Sequence, residues 1–247
     1  MKLFLKVLLA TLLASLAAAP GWAETPSNAF QEELFRANQG DREAMYNVGY
    51  AYEYGDFEGL QIEESWPKAE YWLTKAAEAG DFLAMTLLEE HFRDKVKQNP
   101  NDQDSIRQAK KWFEPMMAFA NEFVSKHKYP SHKVCRKDGC LGIIMAEVYA
   151  AGVAVQPYQT SQVLRWLIFG AQDEYDEKAM YHLSDLLVGG SNDGVVKADP
   201  VQADMWCLAA QIKLKFIDCE EAETHMTAEQ VRESHLLLRK FIQTYFN

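Results

Sequence analysis

Positive charge is scarce in this sequence. Lys and Arg number 25 against 36 Asp and Glu, a net charge of −11. Nucleic acid and anionic lipid surfaces both reward a basic face, so the balance argues against either as a partner. After the N-terminal apolar run no segment is long and apolar enough to span a bilayer, which argues against stable membrane insertion. There is no glycine-rich phosphate cradle, no nucleophile elbow and no C-x2-C redox pair. No catalytic constellation stands out. The expectation is a protein that is not an enzyme and holds no cofactor or metal.

Cysteine is sparing too: Cys135, Cys140, Cys207 and Cys219. An even, modest number fits two disulfides made in an oxidising compartment. The N-terminus agrees. "MKLFLKVLLATLLASLAAAPGWAETP" has Lys2 and Lys6, an apolar run from Val7 to Ala19, then a break at Pro20 and Gly21. This is the layout of a secretory signal peptide over residues 1–23, with cleavage expected after Ala23 and a periplasmic location. Its removal takes away two lysines and no acid, leaving 23 basic against 36 acidic side chains, a net charge near −13.

The stretch "KHKYPSHKVCRKDGC", Lys126 to Cys140, gathers two histidines and two cysteines. His127, His132, Cys135 and Cys140 are zinc ligands by type, and the C-x4-C and H-x4-H spacings are allowed. Lys128, Lys133, Arg136 and Lys137 would set positive charge beside a dication. In an exported chain the favoured alternative is a Cys135–Cys140 bridge that closes a short turn around Asp138-Gly139. Cys207 and Cys219 are the second candidate pair. On one continuous helix twelve residues would hold them about 18 Å apart, too far to bond. Bonding needs the chain to turn near Lys213 to Phe216, so that the sulfurs meet across an antiparallel helix pair. His182, His225 and His235 stand alone and read as surface or packing residues.

What the chain does have is internal repetition. "AMYNVGYAYEYG", Ala44 to Gly55, aligns without a gap on "AMYHLSDLLVGG", Ala179 to Gly190, and "LGIIMAEVYAAG", Leu141 to Gly152, fits the same frame. A second block follows each of these, marked by Trp72, Trp166 and Trp206, and Trp112 marks the remaining copy. Trp72 to Trp112 is 40 residues, Trp166 to Trp206 is 40, and Trp112 to Trp166 is 54. Each unit reads as two helices. In the first, Ala44, Val48, Ala51, Tyr52 and Gly55 recur at helical spacing as a small, apolar stripe. The second starts near Ser65, with Pro67 tolerated in its first turn. Repeats are expected at about 41–80, 81–127, 140–175 and 176–218, with an insertion at 128–139. Asn28 to Asn38 reads as an N-terminal cap and residues 227–246 as a C-terminal cap. The C-terminal cap has a seam of Val231, His235, Leu238 and Ile242, flanked by Leu237 and Phe241.

"NQGDREAMYNVGYAYEYG" followed by "KAEYWLTKAAEAGDFLAM" resembles the Sel-like repeat, a relative of the tetratricopeptide repeat. Gly194-Val195, Asp199, Ala203 and Trp206 match its pattern, as do Gly152-Val153 and Trp166. The resemblance spans about residues 38–218 and is weakest in the second copy. It implies an all-α, right-handed α-solenoid of about four helix-turn-helix repeats with capping helices, presenting a concave binding surface. It supplies no catalytic residues. Some cysteine-rich members bridge their repeats with the topology a Cys207–Cys219 bond would have, at a shorter spacing.

The working surface is expected on the first helix of each repeat, opposite the core stripe. Glu43, Tyr46, Asn47, Tyr50 and Glu53 lie there in the first copy, Lys178, Tyr181, His182 and Asp185 in the last, and Ile143, Ile144 and Glu147 in the third. Tyrosines with acids make a recognition surface in which rings carry contact energy and charges select the partner. The expected partner is a protein with a basic patch. Exported Sel-like proteins of this size resemble immunity proteins that neutralise toxic effectors acting in the envelope, which makes a secreted toxin or an envelope protein the candidate. The alternatives are a cell-envelope scaffold and, ranked lower, binding of cell-wall or β-lactam ligands.

Overall fold

An aspartate three residues before a buried alanine opens three of the helices. Asp41, Asp81 and Asp176 each accept from the backbone N–H of Ala44, Ala84 and Ala179, at 3.1, 2.9 and 2.9 Å. The carboxylate satisfies one of the N–H groups a helix start leaves without a partner, and its charge suits the positive end of the helix dipole. The alanine turns inward and is fully buried in all three cases.

The computed structural model describes residues 28–126, 135–136, 139–153, 159–215, 217–219 and 223–245. The expected signal peptide and most of the expected insertion lie outside the described residues. The architecture is all-α, with two two-residue strand pairs among the described residues. No described helix is long and apolar enough to cross a membrane. The chain divides into two compact units, one ending at Lys75 and one beginning at Ala76.

The first unit holds α1 (Asn28–Asn38), α2 (Arg42–Tyr54), β1 (Asp56–Phe57), β2 (Leu60–Gln61) and most of α3 (Trp66–Glu78). Helix α1 lies against α2. Phe30 is buried against the Tyr52 and Phe57 rings, at centroid distances of 5.7 and 5.3 Å. Ala44, Val48 and Ala51 are fully buried, as the stripe predicts. Gly49 is buried by Leu73 of α3, and a Cβ there would fall 2.7 Å from Leu73 Cγ. Gly55 ends α2 with φ 68°, a backbone that glycine adopts without strain. The β1–β2 pair that follows, with Asp56 opposite Gln61, has no counterpart in the sequence-based expectation.

The second unit holds α4 (Phe82–Gln98), α5 (Gln103–Lys126), β3 (Cys135–Arg136), β4 (Gly139–Cys140), α6 (Leu141–Ala151), α7 (Thr160–Gln172), α8 (Glu177–Gly189), α9 (Pro200–Gln211) and α10 (Ala228–Tyr245). Helices pack as the hairpins α4/α5, α6/α7 and α8/α9, and the first helices meet in series, α4 with α6 and α6 with α8. Trp112, Trp166 and Trp206, the markers of the second helices, are each at most 5% exposed. Helix α10 closes the series on α9. Its seam differs from the expected one. Phe241 is buried against Trp206 at 5.2 Å and Ser234 is fully buried, whereas His235 is exposed. With Phe241 docked on Trp206, the buried side of the helix runs through Ser234 and Phe241, and His235 lies at its exposed edge.

Candidate functional site

Helix α6 begins at Cys140, whose side chain caps nothing. Its first N–H groups are met from the α7–α8 turn instead. Glu174 Oε2 accepts from Gly142 N at 2.6 Å, and Asp176 Oδ2 accepts from Cys140 N at 3.0 Å. Asp176 Oδ1 meanwhile caps α8 through Lys178 N and Ala179 N. Both carboxylates are buried. Tyr175 between them has φ 52°, a left-handed conformation that turns the backbone tightly at this point. One turn therefore fixes the starts of two neighbouring first helices. At the same place Gly142 and Gly170 meet: a Cβ on Gly142 would lie 2.5 Å from Gly170 Cα.

A groove of about 420 Å³ lies between α6, α7 and α8. Ile143, Ala146, Val163 and Leu167 form its apolar wall. Glu147 of α6 and His182 and Asp185 of α8 add the polar groups. The groove continues past Leu186 and Gly190 into a second hollow of about 310 Å³ that reaches Asp193. Hydroxyls of Ser191 and Thr160 and the Val195 N–H donate to the Asp193 carboxylate and hold it below the usual carboxylate range. Apolar surface bordered by three carboxylates and a histidine is complementary in chemistry to a side chain with an apolar stem and a cationic head.

The residues expected on the working surface divide between the two units. In the first unit, Glu43 is exposed and Tyr46, Asn47, Tyr50 and Glu53 are half-buried. Asn47 donates to Glu33 Oε1 at 2.7 Å and so joins α2 to α1. The Tyr46, Tyr50 and Tyr54 rings follow one another along α2 at 6.0 and 4.5 Å, an aromatic ladder to which the sequence reading adds nothing at Tyr54. In the second unit, Tyr181, His182 and Asp185 are exposed, Tyr181 lying edge-on to His182 at 5.7 Å. His182 and Asp185 line the groove. Ile143 and Ile144, expected on the open face, are only 2% and 4% exposed, because α6 is enclosed by α4, α7 and α8. Glu174 and Asp176 were not singled out by sequence. A buried acid in a turn resembles a solvated one until the helix it caps is known.

The cysteines stand at bonding distance as Cys135 with Cys140 and Cys207 with Cys219, with Cα separations of 3.9 and 5.8 Å. Cys135 and Cys140 sit opposite each other in the β3–β4 pair. Cys219 lies in a non-helical segment after α9, not on a following helix as the repeat frame implies. His127, His132, Lys128, Lys133 and Lys137 lie outside the described residues.

Two segments, residues 42–81 and 177–210, match the model of the Sel1 repeat. Among solved structures, the chain is similar to a protective antigen present in uropathogenic Escherichia coli strains that displays an SLR fold. The TM-score is 0.65 at 22% identity, over 94% of this chain and 43% of that one. It is also similar to a Sel1 repeat protein from Oxalobacter formigenes, with TM-score 0.54 and 17% identity, over 88% of this chain and 80% of that one. The chain thus spans less than half the length of the first of these proteins. No curated protein matches it.

Proposed function

We propose, from the Sel1 repeat matches at residues 42–81 and 177–210, a periplasmic module that holds one protein partner by a basic, apolar-stemmed segment. The observation that carries this proposal is the α6–α7–α8 groove, with its apolar wall and the carboxylates of Glu147, Asp185 and Asp193. Partner residues of the lysine or arginine type bury their stems there and leave the charge among the acids. The tyrosine ladder of α2 serves as a second contact patch, since tyrosine offers large contact area at low entropic cost. Export is supported by the N-terminal lysine–apolar–small-residue pattern and by two cysteine pairs at bonding distance. Within this class we favour an immunity protein that covers a toxic effector acting in the envelope over a general scaffold.

The test is a pull-down from envelope extract with three forms of the protein: wild type, His182→Ala plus Asp185→Lys, and Tyr46→Ala plus Tyr50→Ala. All substituted side chains reach solvent at least in part, so folding is expected to persist. Both variants should lose most of a partner that the wild type retains at physiological salt. A partner held equally well by all three forms would sink the assignment. Growth of a strain that expresses the candidate effector, with and without this protein, separates inhibitor from scaffold.

A further inference from the structure

The mechanism of partner binding leaves one cluster unused, between α9, α10 and the segment that joins them. Asp204 on α9, Glu223 in the connector and His235 on α10 each offer one ligand atom, and these atoms all lie within 4.8 Å of one another. Asp204 is fully buried. Its Oδ2 accepts from the Ser234 hydroxyl, and its Oδ1 has no hydrogen-bond partner among the described residues. A buried carboxylate oxygen left in that condition is costly unless a cation meets it. Beside the Asp204 carboxylate, His235 Nε2 and Glu223 Oε1 stand 3.7 Å apart at the surface. An ion pair between those two accounts for them but leaves the Asp204 oxygen unanswered.

We propose that Asp204, Glu223 and His235 bind a divalent transition-metal ion of the zinc class. One imidazole nitrogen and two carboxylate oxygens suit zinc, with water in the fourth position. Magnesium and calcium prefer all-oxygen shells. Zinc bonds of about 2.0–2.2 Å place neighbouring donors roughly 3.3 Å apart, a contraction that the exposed His235 and half-buried Glu223 side chains can make by rotation. The backbone is already prepared. The Cys207–Cys219 pair holds the start of the connector against α9, Cys207 one turn beyond Asp204 and Cys219 four residues before Glu223. The ion then ties the end of the connector and α10 to the same helix, closing the end of the repeat array. This site is separate from the groove and does not depend on the proposed partner.

The experiment uses the full, tag-free chain, kept non-reducing and stripped with chelator. Its thermal unfolding is followed with zinc, magnesium or calcium at 100 µM, and zinc affinity is measured by calorimetry. The expected result is a rise in Tm of at least about 3 °C with zinc alone. H235A and E223Q should each weaken zinc at least about tenfold, whereas H182A should bind as the wild type does. D204N should lose the zinc shift without any fall in metal-free Tm, because the amide removes the buried charge; a purely structural role for Asp204 predicts the opposite. The absence of a zinc shift in the wild type overturns the proposal. So does zinc affinity that H235A leaves unchanged, or that H182A abolishes.

Discussion

Glu89, in the middle of α4, is fully buried, and Arg93 Nε donates to its Oε2 at 3.1 Å. Burial pushes its carboxyl up to about 7, against the opposing pull of Arg93. In the unfolded chain the group titrates near 4.5. The folded state therefore binds this proton more tightly. The stability it contributes is fully present below about pH 4.5 and is lost as pH rises through about 7. Glu89→Gln keeps the shape and an acceptor for Arg93 but cannot ionise. Between pH 5 and pH 8 the Tm of the wild type should fall relative to that of the variant by several °C, read by circular dichroism. A wild-type-minus-variant difference that stays constant over that range would show that Glu89 does not titrate in the folded protein.

At the scale of elements, α6 and α7 approach as closely as their two facing glycines permit. Gly142→Ala places a Cβ 2.5 Å from Gly170 Cα and 2.8 Å from Glu174 Oε2, so it strikes backbone and the carboxylate that caps the same helix. The expected cost is about 2–3 kcal/mol, from overpacking and a weakened cap. Gly189→Ala, at the end of α8 where an added Cβ meets nothing within 4 Å, should be neutral or stabilise by up to about 1 kcal/mol. Denaturant melts of the two variants make the comparison, and equal destabilisation by both would remove the steric explanation. The sequence carries much of this element plan and misses its joints. Helical spacing of Ala44, Val48 and Ala51 marks the buried stripe of α2, and the tryptophans mark the second helices, since both signals are local. The double cap by Glu174 and Asp176 is not legible, because it depends on two helices brought together from different parts of the chain. The place of His235 at the exposed edge of the seam likewise goes with Phe241 docking on Trp206, which the period of α10 does not reveal. The groove was half legible: His182 and Asp185 follow from the repeat frame, whereas the enclosure of Ile143 and Ile144 needs three packed neighbours.

Over the whole molecule the acidic excess of 11 charges is a long-range field, while the groove and the tyrosine ladder are short-range surfaces. In the proposed complex the two would act at different stages of binding. A field of one sign raises the rate at which a basic partner arrives and is screened over about 10 Å at 0.1 M salt. Apolar contacts formed after arrival set how long it stays and respond little to salt. For the partner retained in the pull-down, surface plasmon resonance between 50 and 500 mM NaCl should therefore show an association rate that falls by tenfold or more. Over the same range the dissociation rate should change by no more than about threefold. Asp185→Lys should flatten the salt dependence of association, because it reverses one charge at the groove. The Tyr46→Ala plus Tyr50→Ala variant should leave that dependence intact and speed dissociation. An association rate that is insensitive to salt would mean that the acidic balance plays no part in selecting the partner, and the expectation of a basic patch would fall with it.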